Sequence, residues 1–490
     1  MIRKALATVV GGAIAVTPLL GMSDASAATA TCRFASSTNT IYISSGAVTL
    51  SDIMKLCKNP PLIKGDNGVW QLNADLVLQD NAKLSLHGTR RGGDVNELRL
   101  RSGSSGRRHD VAQITAQYGR LDLNGVKVTS WDPAKNSPDT TTAIPSGGER
   151  GRAFMRAVSY MDGNTPRESR FDIRDSDIGY LGYSAAESYG VALKARGCGA
   201  DTPSVCRVLD VTGQHTNSRF HHNYMGTYTW GAQDMEFRGN QYDNNVSYGL
   251  DPHDDSDYLT ITDNEFNHNG NHGLICSKRC DHLTITNNES HDNGRSSGSA
   301  VHGIMLHAGI SDTVVKNNKI WNQRSGAGIS VFDSVGNEVS GNDIRNSRYG
   351  LRFSVGTRDL KVLNNRVTDS TLHALYTYSG SDSPEYTGDN PRPRNITISG
   401  NTFSGAGSDV LRITDSDSFV FSGNTINGSR TASFESSSGQ VYERSNKHSG
   451  GMTFKLKGSP SAKTSVTFRG WTASQLKVSK DSNSTATFTG

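Results

Sequence analysis

Two neighbouring stretches of the chain read almost alike: LTITDNEF at residues 259–266 and LTITNNES at residues 283–290. In each, apolar and polar residues alternate before a turn-forming pair that ends in Asn. The pattern recurs with its last Asn at Asn240, Asn264, Asn288, Asn318, Asn342, Asn365, Asn401 and Asn424, at separations of 24, 24, 30, 24, 23, 36 and 23 residues. A period near 24 residues with two-residue alternation indicates the stacked coils of a β-helix.

The recurrent Asn is predicted to be structural rather than catalytic. Equivalent turn positions of stacked coils lie above one another, so each side-chain amide can bond the next and satisfy the turn backbone. Leucine-rich repeats have a similar length, but their leucine-asparagine frame is absent. The two long separations contain insertions, at residues 295–300 and 381–394.

A second strand of each coil also aligns, across residues 247–254, 271–278, 301–308, 326–333 and 348–355. Because strand side chains alternate between faces, the apolar columns that begin at Leu250 and Pro252 should point inward. The outward-facing set is then Lys194, Tyr228, Trp230, Asp251, His253, Ser277, His307, Phe332 and Arg352. Such a row of basic, aromatic and polar side chains suits the binding of sugar units.

The predicted fold class is all-β, a right-handed parallel β-helix with capping segments. The chain has 490 residues with 52 Gly and is 34% hydrophobic. That is little apolar content for one globular core of this length, but it fits a solenoid whose coils each bury a few side chains. We expect a leader at residues 1–27, an N-terminal cap and first strands at 28–110, the main β-helix at 111–437 and terminal coils at 438–490.

The first residues predict export from the cytoplasm. Arg3 and Lys4 precede an apolar stretch, and a small-residue cleavage site follows at residues 25–27. Six cysteines in an exported chain favour disulfides, and their order suggests the pairs 32–57, 198–206 and 276–280. No later segment is apolar enough to cross a bilayer, and we expect a secreted monomer.

The formal net charge is only +4, which implies no global attraction to a polyanion. Neither a nucleic acid nor a membrane is therefore expected as a partner. If the ligand is acidic, the positive charge that binds it must be local.

The stretch from Tyr248 to Asp255 (YGLDPHDD) carries the most distinctive chemistry. Pro252 is unusual inside a central strand, because it removes a ladder donor. Its neighbours Asp251 and His253 should both face outward, close to Asp254. A carboxylate that orients an imidazole makes a general base that works near neutral pH. The alternative is a polar, solvated turn at the end of the strand.

YGLDPHD (248–254) resembles the DPHD-type motif of mannuronan C5-epimerases, which convert mannuronate to guluronate within alginate chains. Three further segments are similar to the periplasmic branch of that family: GRLDLNGVKVTSWDPAKNSP (119–138), IGYLGYSAAESYGVAL (178–193) and NHGLICSKRC (271–280). The resemblance covers roughly residues 65–370. It implies that His253 takes the C5 proton, that Tyr248 is the acid or base on the opposite face, and that Asp251 assists beside the base.

The resemblance also implies a cation that neutralises the substrate carboxylate. Lys194 lies about where related enzymes place such a lysine. The periplasmic branch has an arginine where this chain has Lys278, with Arg279 next. This is a departure, because lysine cannot make the bidentate fork of arginine. The other residues expected to contact substrate are Tyr228, Trp230, Asp254, His307 and Arg352.

No glycine-rich nonapeptide of the calcium-binding type occurs, so we expect no metal and no cofactor. The expected partner is an anionic polysaccharide such as polymannuronate. Two alternatives remain open: a polysaccharide lyase, which shares the first proton abstraction, and a non-catalytic carbohydrate-binding β-helix. A glycosidase needs two carboxylates that converge on one bond, whereas the adjacent Asp254 and Asp255 should point to opposite faces.

Overall fold

The computed structural model of the chain describes residues 29–103, 111–143, 149–295, 300–428 and 430–490. These residues form three long sheets in which each strand pairs in parallel with its equivalent in the next coil. The chain passes through sheets 1, 2 and 3 in turn and then returns to sheet 1. The fold is therefore a parallel β-helix, which confirms the predicted fold class. The leader predicted at residues 1–27 lies outside the described residues.

Short strands make up all three sheets. Sheet 1 contains Thr31–Ala35, Thr40–Ser44, Asp75–Gln79, Gln113–Gln117, Phe154–Asp162, Gly190–Ala195, Met225–Trp230, Leu250–His253, Leu274–Ser277, Ile304–His307, Ala327–Phe332, Tyr349–Ser354, His373–Tyr378, Leu411–Thr414, Arg430–Glu435, Met452–Lys457 and Lys477–Lys480. Sheet 2 contains Ala47–Val48, Ala82–His87, Gly119–Asn124, Ser169–Arg174, Val211–Thr212, Gln214–Thr216, Glu236–Arg238, Thr260–Thr262, Thr284–Thr286, Val314–Lys316, Glu338–Ser340, Lys361–Leu363, Thr397–Ser399, Val420–Ser422, Gln440–Glu443, Thr464–Arg469 and Ser484–Thr489. Sheet 3 contains Leu62–Lys64, Val69–Leu72, Glu97–Arg101, Lys127–Asp132, Asp177–Gly179, Arg219–His221, Gln241–Asp243, Glu265–Asn267, Glu289–His291, Lys319–Trp321, Asp343–Arg345, Arg366–Thr368, Thr402–Ser404, Thr425–Asn427 and Lys447–Ser449.

A few elements depart from this parallel pattern. Four strands pair antiparallel with a neighbour: Thr31–Ala35, Leu62–Lys64, Ser137–Pro138 and Thr165–Arg167. Among the described residues, the α-helices are Leu50–Leu56 and Pro203–Cys206, and short 3₁₀ helices cover Asp66–Gly68, Thr89–Arg91 and Ala473–Gln475.

The helix Leu50–Leu56 follows the first strand of sheet 2, near the N-terminal end of the stack. Thr49 caps it through a reciprocal pair of hydrogen bonds with Asp52. Leu50 and Ile53 are buried and join the core of the coils. An atypical terminal element of this kind shields the apolar end that every solenoid would otherwise expose.

Stacking is continuous across the two boundaries predicted at residues 110 and 437. The strand Asp75–Gln79 pairs with Gln113–Gln117, and Arg430–Glu435 pairs with Met452–Lys457. Both terminal regions thus share their sheets with the central coils.

The register of sheet 1 is the one predicted from the sequence. Leu250 pairs with Leu274, which pairs with Ile304, and all three are fully buried. On the outward face, Lys194 pairs with Trp230 and Trp230 with His253. The same outward column then continues through Ser277, His307, Phe332 and Ser354.

The recurrent Asn residues form the predicted ladder between sheets 2 and 3. The Nδ2 of Asn264 donates to Oδ1 of Asn288 at 3.0 Å and to the Phe237 carbonyl at 2.8 Å. Its backbone amide donates to the same Asn288 oxygen at 3.0 Å. This pattern repeats down the ladder and extends one step beyond the predicted set, to Asn446.

A second ladder, between sheets 3 and 1, was not predicted. It consists of Asn223, Asn245, Asn269 and Asn293, each of the last three accepting from the backbone amide of the Asn before it. Together the two ladders fix both flanks of sheet 3 through the coils that carry the DPHD motif.

Two of the three suggested disulfides are present, Cys32–Cys57 and Cys198–Cys206. The third suggestion is wrong, because Cys276 and Cys280 are free and buried. Cys276 lies in the inward column of sheet 1 beside Leu306 and serves as a small core side chain. Among the described residues, no helix has the length and apolar content needed to cross a bilayer.

The Asn ladder should be a large source of stability. Asn288→Ala removes bonds to Asn318 and to the Ile261 carbonyl, and it leaves the buried amide of Asn264 without an acceptor. We expect a loss of about 3 kcal/mol in the free energy of unfolding, measured by chemical denaturation. Thr284→Ala, an exposed change on the same coil, should cost under about 0.5 kcal/mol. Equal losses in the two variants would contradict a structural role for the ladder.

Candidate active site

His253 ends the sheet 1 strand Leu250–His253 and faces outward with 27% of its side chain exposed. The ring of Trp230, one coil earlier, lies almost parallel to the imidazole, with ring centroids 5.6 Å apart. Tyr228 also contacts the imidazole, again at 5.6 Å between centroids. The imidazole is therefore packed against aromatic rings on one side. Its other side remains open toward the outer surface of sheet 1, which we call the groove.

A carboxylate holds the imidazole in one orientation. Nδ1 of His253 is hydrogen-bonded to Asp254, which is buried and also bonds Arg279. With Nδ1 donating to a carboxylate, Nε2 is the nitrogen left to accept a proton. Burial alone would raise the pKa of Asp254, but His253 and Arg279 hold it below its ordinary value. Asp254 thus stays ionised behind the base.

Asp254 and Asp255 do not point to opposite faces, and that expectation is wrong. Both residues have left-handed backbone conformations, with φ of 22° and 57°, so the alternation of the strand ends at His253. Both carboxylates consequently reach Arg279, whose guanidinium bonds Asp255 at 3.0 and 3.1 Å. The motif forms a clamp behind the imidazole rather than a pair of carboxylates in the groove.

The insertion at residues 381–394 completes this clamp. Asp333, buried at 1% exposure, accepts the backbone amides of Glu385, Tyr386 and Thr387 at 2.6, 3.0 and 3.0 Å. The hydroxyl of Tyr386 then accepts from Arg279 at 2.9 Å. The sequence marked this segment only as an insertion, and the structure places it against the DPHD coil.

Asp251 is the most perturbed acid of the site. It is 2% exposed, and besides burial its charge raises the pKa of the nearby phenols Tyr189, Tyr228 and Tyr248. Burial raises its pKa to about 7, against the lowering effects of the His253 charge and a Ser277 hydrogen bond. Its Oδ1 has no hydrogen-bond partner among the described residues. Asp251 is therefore poised to hold or release a proton near neutral pH.

Tyr228 pairs with Asp251 across the coils, and Tyr248 lies just before the strand that contains Asp251. Burial, followed by the charge of Asp251, raises the pKa of both phenols, that of Tyr248 to about 12. Both therefore carry their protons at neutral pH and can act as donors.

Two further tyrosines, Tyr189 and Tyr224, pack against the cluster that contains Tyr228. The sequence did not single them out. The ring of Tyr189 lies 4.9 Å from Tyr228 and 6.1 Å from Tyr224. A usable signal was present, because Tyr189 and Tyr248 each stand directly before a glycine that begins or immediately precedes a sheet 1 strand.

The predicted cations differ in how they are engaged. Lys194 lies 3.4 Å from Glu187 and places its Nζ 4.2 Å from the centroid of Trp230. Arg279 is bound within the clamp. Lys278 makes no ion pair or side-chain hydrogen bond with any described residue, so its ammonium is available for a ligand.

His307 lies two coils beyond His253 on the same outward column, below Ser277. Burial, and then the charge of Lys278, lowers the pKa of His307, so this ring is neutral at neutral pH. It stacks on Phe332 with centroids 4.8 Å apart. Arg352 does not lie near His253. It is four coils from the His253 strand, about 19 Å along the stack.

The chain resembles mannuronan C5-epimerases. The enzyme AlgG of Azotobacter vinelandii is 26% identical over 363 residues, which cover 69% of this chain and 58% of that protein. The mannuronan C5-epimerase of Pseudomonas putida is 24% identical over 334 residues, 66% of this chain and 53% of that protein. The chain thus spans somewhat over half the length of these curated relatives.

Among solved structures, the periplasmic alginate epimerase AlgG superposes with a TM-score of 0.63 at 23% identity, over 76% of this chain and 81% of that one. This match shows a shared fold. A family profile described as "Periplasmic copper-binding protein (NosD)" matches residues 204–396.

The described residues do not fit a copper centre. Across the described ranges, the one group of three or more potential ligands is Cys198, Cys206 and Asp255. Its two sulfurs are joined in a disulfide, so they offer no thiolate to a metal.

Substitutions of the adjacent cations Lys278 and Arg279 should differ in their effect on the free energy of unfolding. Arg279→Lys loses the fork that joins Asp254, Asp255 and Tyr386, and we expect a cost of about 2 kcal/mol in the free energy of unfolding. Lys278→Met should leave stability within about 0.5 kcal/mol of wild type. Denaturant titration measures both changes, and a stable Arg279→Lys variant would mean that the clamp contributes little.

Asp251 should make stability depend on pH. Its pKa rises from an ordinary 3.8 to about 7 in the folded chain, so the folded state holds the proton more tightly. Wild type should therefore lose stability relative to Asp251→Asn as the pH rises from about 4 to 7, by about 2–4 kcal/mol. Melting temperatures of both proteins across this range measure the difference. A difference that is constant with pH would show that Asp251 ionises normally.

Proposed function

We propose that the chain is a poly(β-D-mannuronate) C5-epimerase that converts mannuronate to guluronate within an alginate-like polymer. The observation that carries the proposal is the His253 imidazole, with Nδ1 bonded to buried Asp254 and with Nε2 open to the groove. The likeness to mannuronan C5-epimerases supplies the substrate class. We also propose that the protein acts after export, with residues 1–27 as its leader.

The first step is removal of the C5 proton. This proton is weakly acidic because the carbanion that forms must share its charge with the adjacent carboxylate. A cation at the carboxylate stabilises that developing charge. Lys278 takes this role, because it comes directly after Ser277, the residue that pairs with His253 in the next coil. It also has no competing carboxylate among the described residues. Nε2 of His253 accepts the proton, and ionised Asp254 stabilises the imidazolium that results.

The second step returns a proton to the other face of C5. Tyr248 is the donor, because its raised pKa keeps it protonated and it lies just before the strand that His253 ends. Asp251, with a pKa near 7, lies beside this phenol and re-protonates it after turnover. Tyr228 and Trp230 pack around the base, while Lys194 and His307 flank it along the groove. Asp254 and Arg279 position the imidazole without contacting the sugar.

Elimination would share the first step. If the C5 carbanion expels the O4 oxygen instead of regaining a proton, the chain breaks and an unsaturated end forms. The decisive experiment is a proton NMR time course with polymannuronate in heavy water. Guluronate signals with deuterium at C5 and unchanged chain length support the epimerase. Unsaturated ends with falling chain length would make the enzyme a lyase, and no change in either would overturn the substrate assignment.

Substitution of the base provides the matching genetic test. His253→Ala should lower turnover at least about 1,000-fold while polymer binding persists, because binding is spread along the groove. The control is His282→Ala, which alters an exposed turn histidine away from the outward columns of sheet 1. If His253→Ala keeps more than a tenth of the activity, another group is the base.

A further inference from the structure

Arg352 presents a partly buried positive charge with no negative partner among the described residues. It projects from the sheet 1 strand Tyr349–Ser354 and pairs in register with Ser330 and Tyr376. No carboxylate among the described residues forms an ion pair with it, and its Nε has no hydrogen-bond acceptor there. Other arginines of this outward face are paired, Arg156 with Glu187 and Arg412 with Glu435. Charges that are withdrawn from water in proteins are normally paired, so the partly buried guanidinium of Arg352 lacks a counter-charge among the described residues.

The neighbouring histidine does not supply an acceptor. The Nδ1 of His302 accepts the backbone amide of Ala327 at 2.9 Å, and burial holds the pKa of His302 well below its ordinary value. The single proton of this neutral ring must then be on Nε2, the atom that faces a guanidinium nitrogen of Arg352 at 3.4 Å. Two donors thus converge on one point, and an anionic oxygen placed there would accept from both.

Aromatic rings complete the site. Tyr349 and Tyr376 stack with centroids 5.1 Å apart, and Tyr376 and Tyr378 stack at 5.0 Å. The Tyr378 hydroxyl accepts a hydrogen bond from Arg352, but this phenol brings no negative charge. Arg352 and the three tyrosines, together with Arg348, line a cavity of about 390 Å³ on the outer surface of sheet 1. Stacked phenols beside a guanidinium suit a sugar ring that carries a carboxylate, because the ring faces can pack on the tyrosines while the acid meets the donors.

We propose that Arg352, His302 and the tyrosines Tyr349, Tyr376 and Tyr378 form a distal subsite for the carboxylate of a uronate unit. This inference rests on the proposed function of the same groove. The subsite lies about 19 Å along the stack from the coil of His253, a distance of several sugar units. A chain must span that distance to occupy both places, so the groove favours long substrates over short ones.

The test compares Arg352→Met with wild type on polymannuronate and on oligomannuronates of increasing length. We expect the ratio of kcat/KM for the polymer to that for the shortest oligomers to fall about tenfold, mainly through KM. Arg352→Lys keeps the positive charge but loses the guanidinium fork, so its kcat/KM ratio should lie between those of wild type and Arg352→Met. The matched control, Arg366→Met, removes one positive charge from sheet 3 and should not change the ratio. An unchanged ratio in Arg352→Met, or an equal loss on all lengths, would overturn the subsite.

Calorimetric binding separates this inference from the proposed function. Polymannuronate binding that weakens about tenfold in Arg352→Met, with a neutral mannan as the reference polymer, supports the subsite even if wild type proves unable to epimerise. If wild type epimerises the polymer and Arg352→Met binds it with the same affinity, the proposed function stands and the subsite is overturned. If wild type binds no polyuronate, both proposals fail. Melting temperatures verify that the variants are folded. If Arg352→Met does not fold, Tyr376→Ala tests the same site.

Discussion

Parallel pairing between successive coils sets the position of every functional side chain in this protein. The backbone hydrogen bonds keep equivalent residues about 4.8 Å apart, so a residue type repeated once per coil becomes a continuous column. The Asn ladders hold the turns at either side of sheet 3, and a slip of one residue would turn the outward column into the core. Because Trp230, His253 and Ser277 lie in one such column, the groove inherits its geometry from the register rather than from flexible loops.

Electrostatic environment then separates groups that are chemically alike. Asp251 and Asp254 stand three residues apart, yet burial raises the pKa of one and cationic neighbours lower that of the other. Two carboxylates with pKa values pushed apart can divide the work of proton transfer, one as a proton carrier and the other as a fixed charge. The same division applies to Lys278 and Arg279. Lys278 forms no ion pair with any described residue, whereas Arg279 is held by three partners.

The repeat made the columns of sheet 1 predictable, because a fixed period and strict alternation leave only one alignment. The pattern also held enough information for the second ladder, since Asn223, Asn245 and Asn269 recur at nearly the same spacing. The suggested bond between Cys276 and Cys280 ignored the inward orientation that the alignment already gave Cys276. In contrast, the contact of Tyr386 with Arg279 joins residues 107 apart through an insertion, and no local pattern encodes it.

An open groove cannot select its ligand by enclosing it, so recognition has to be distributed along the stack. A net charge of only +4 gives little general attraction to a polyanion, and other arginines of the outward face, such as Arg156 and Arg412, are neutralised by neighbouring carboxylates. Lys278 and Arg352 form no ion pair with any described residue, so they have more influence on an anionic ligand than their number implies. Their separation along the coils favours a polymer that carries regularly spaced negative charges over a compact anion, which could satisfy only one of them.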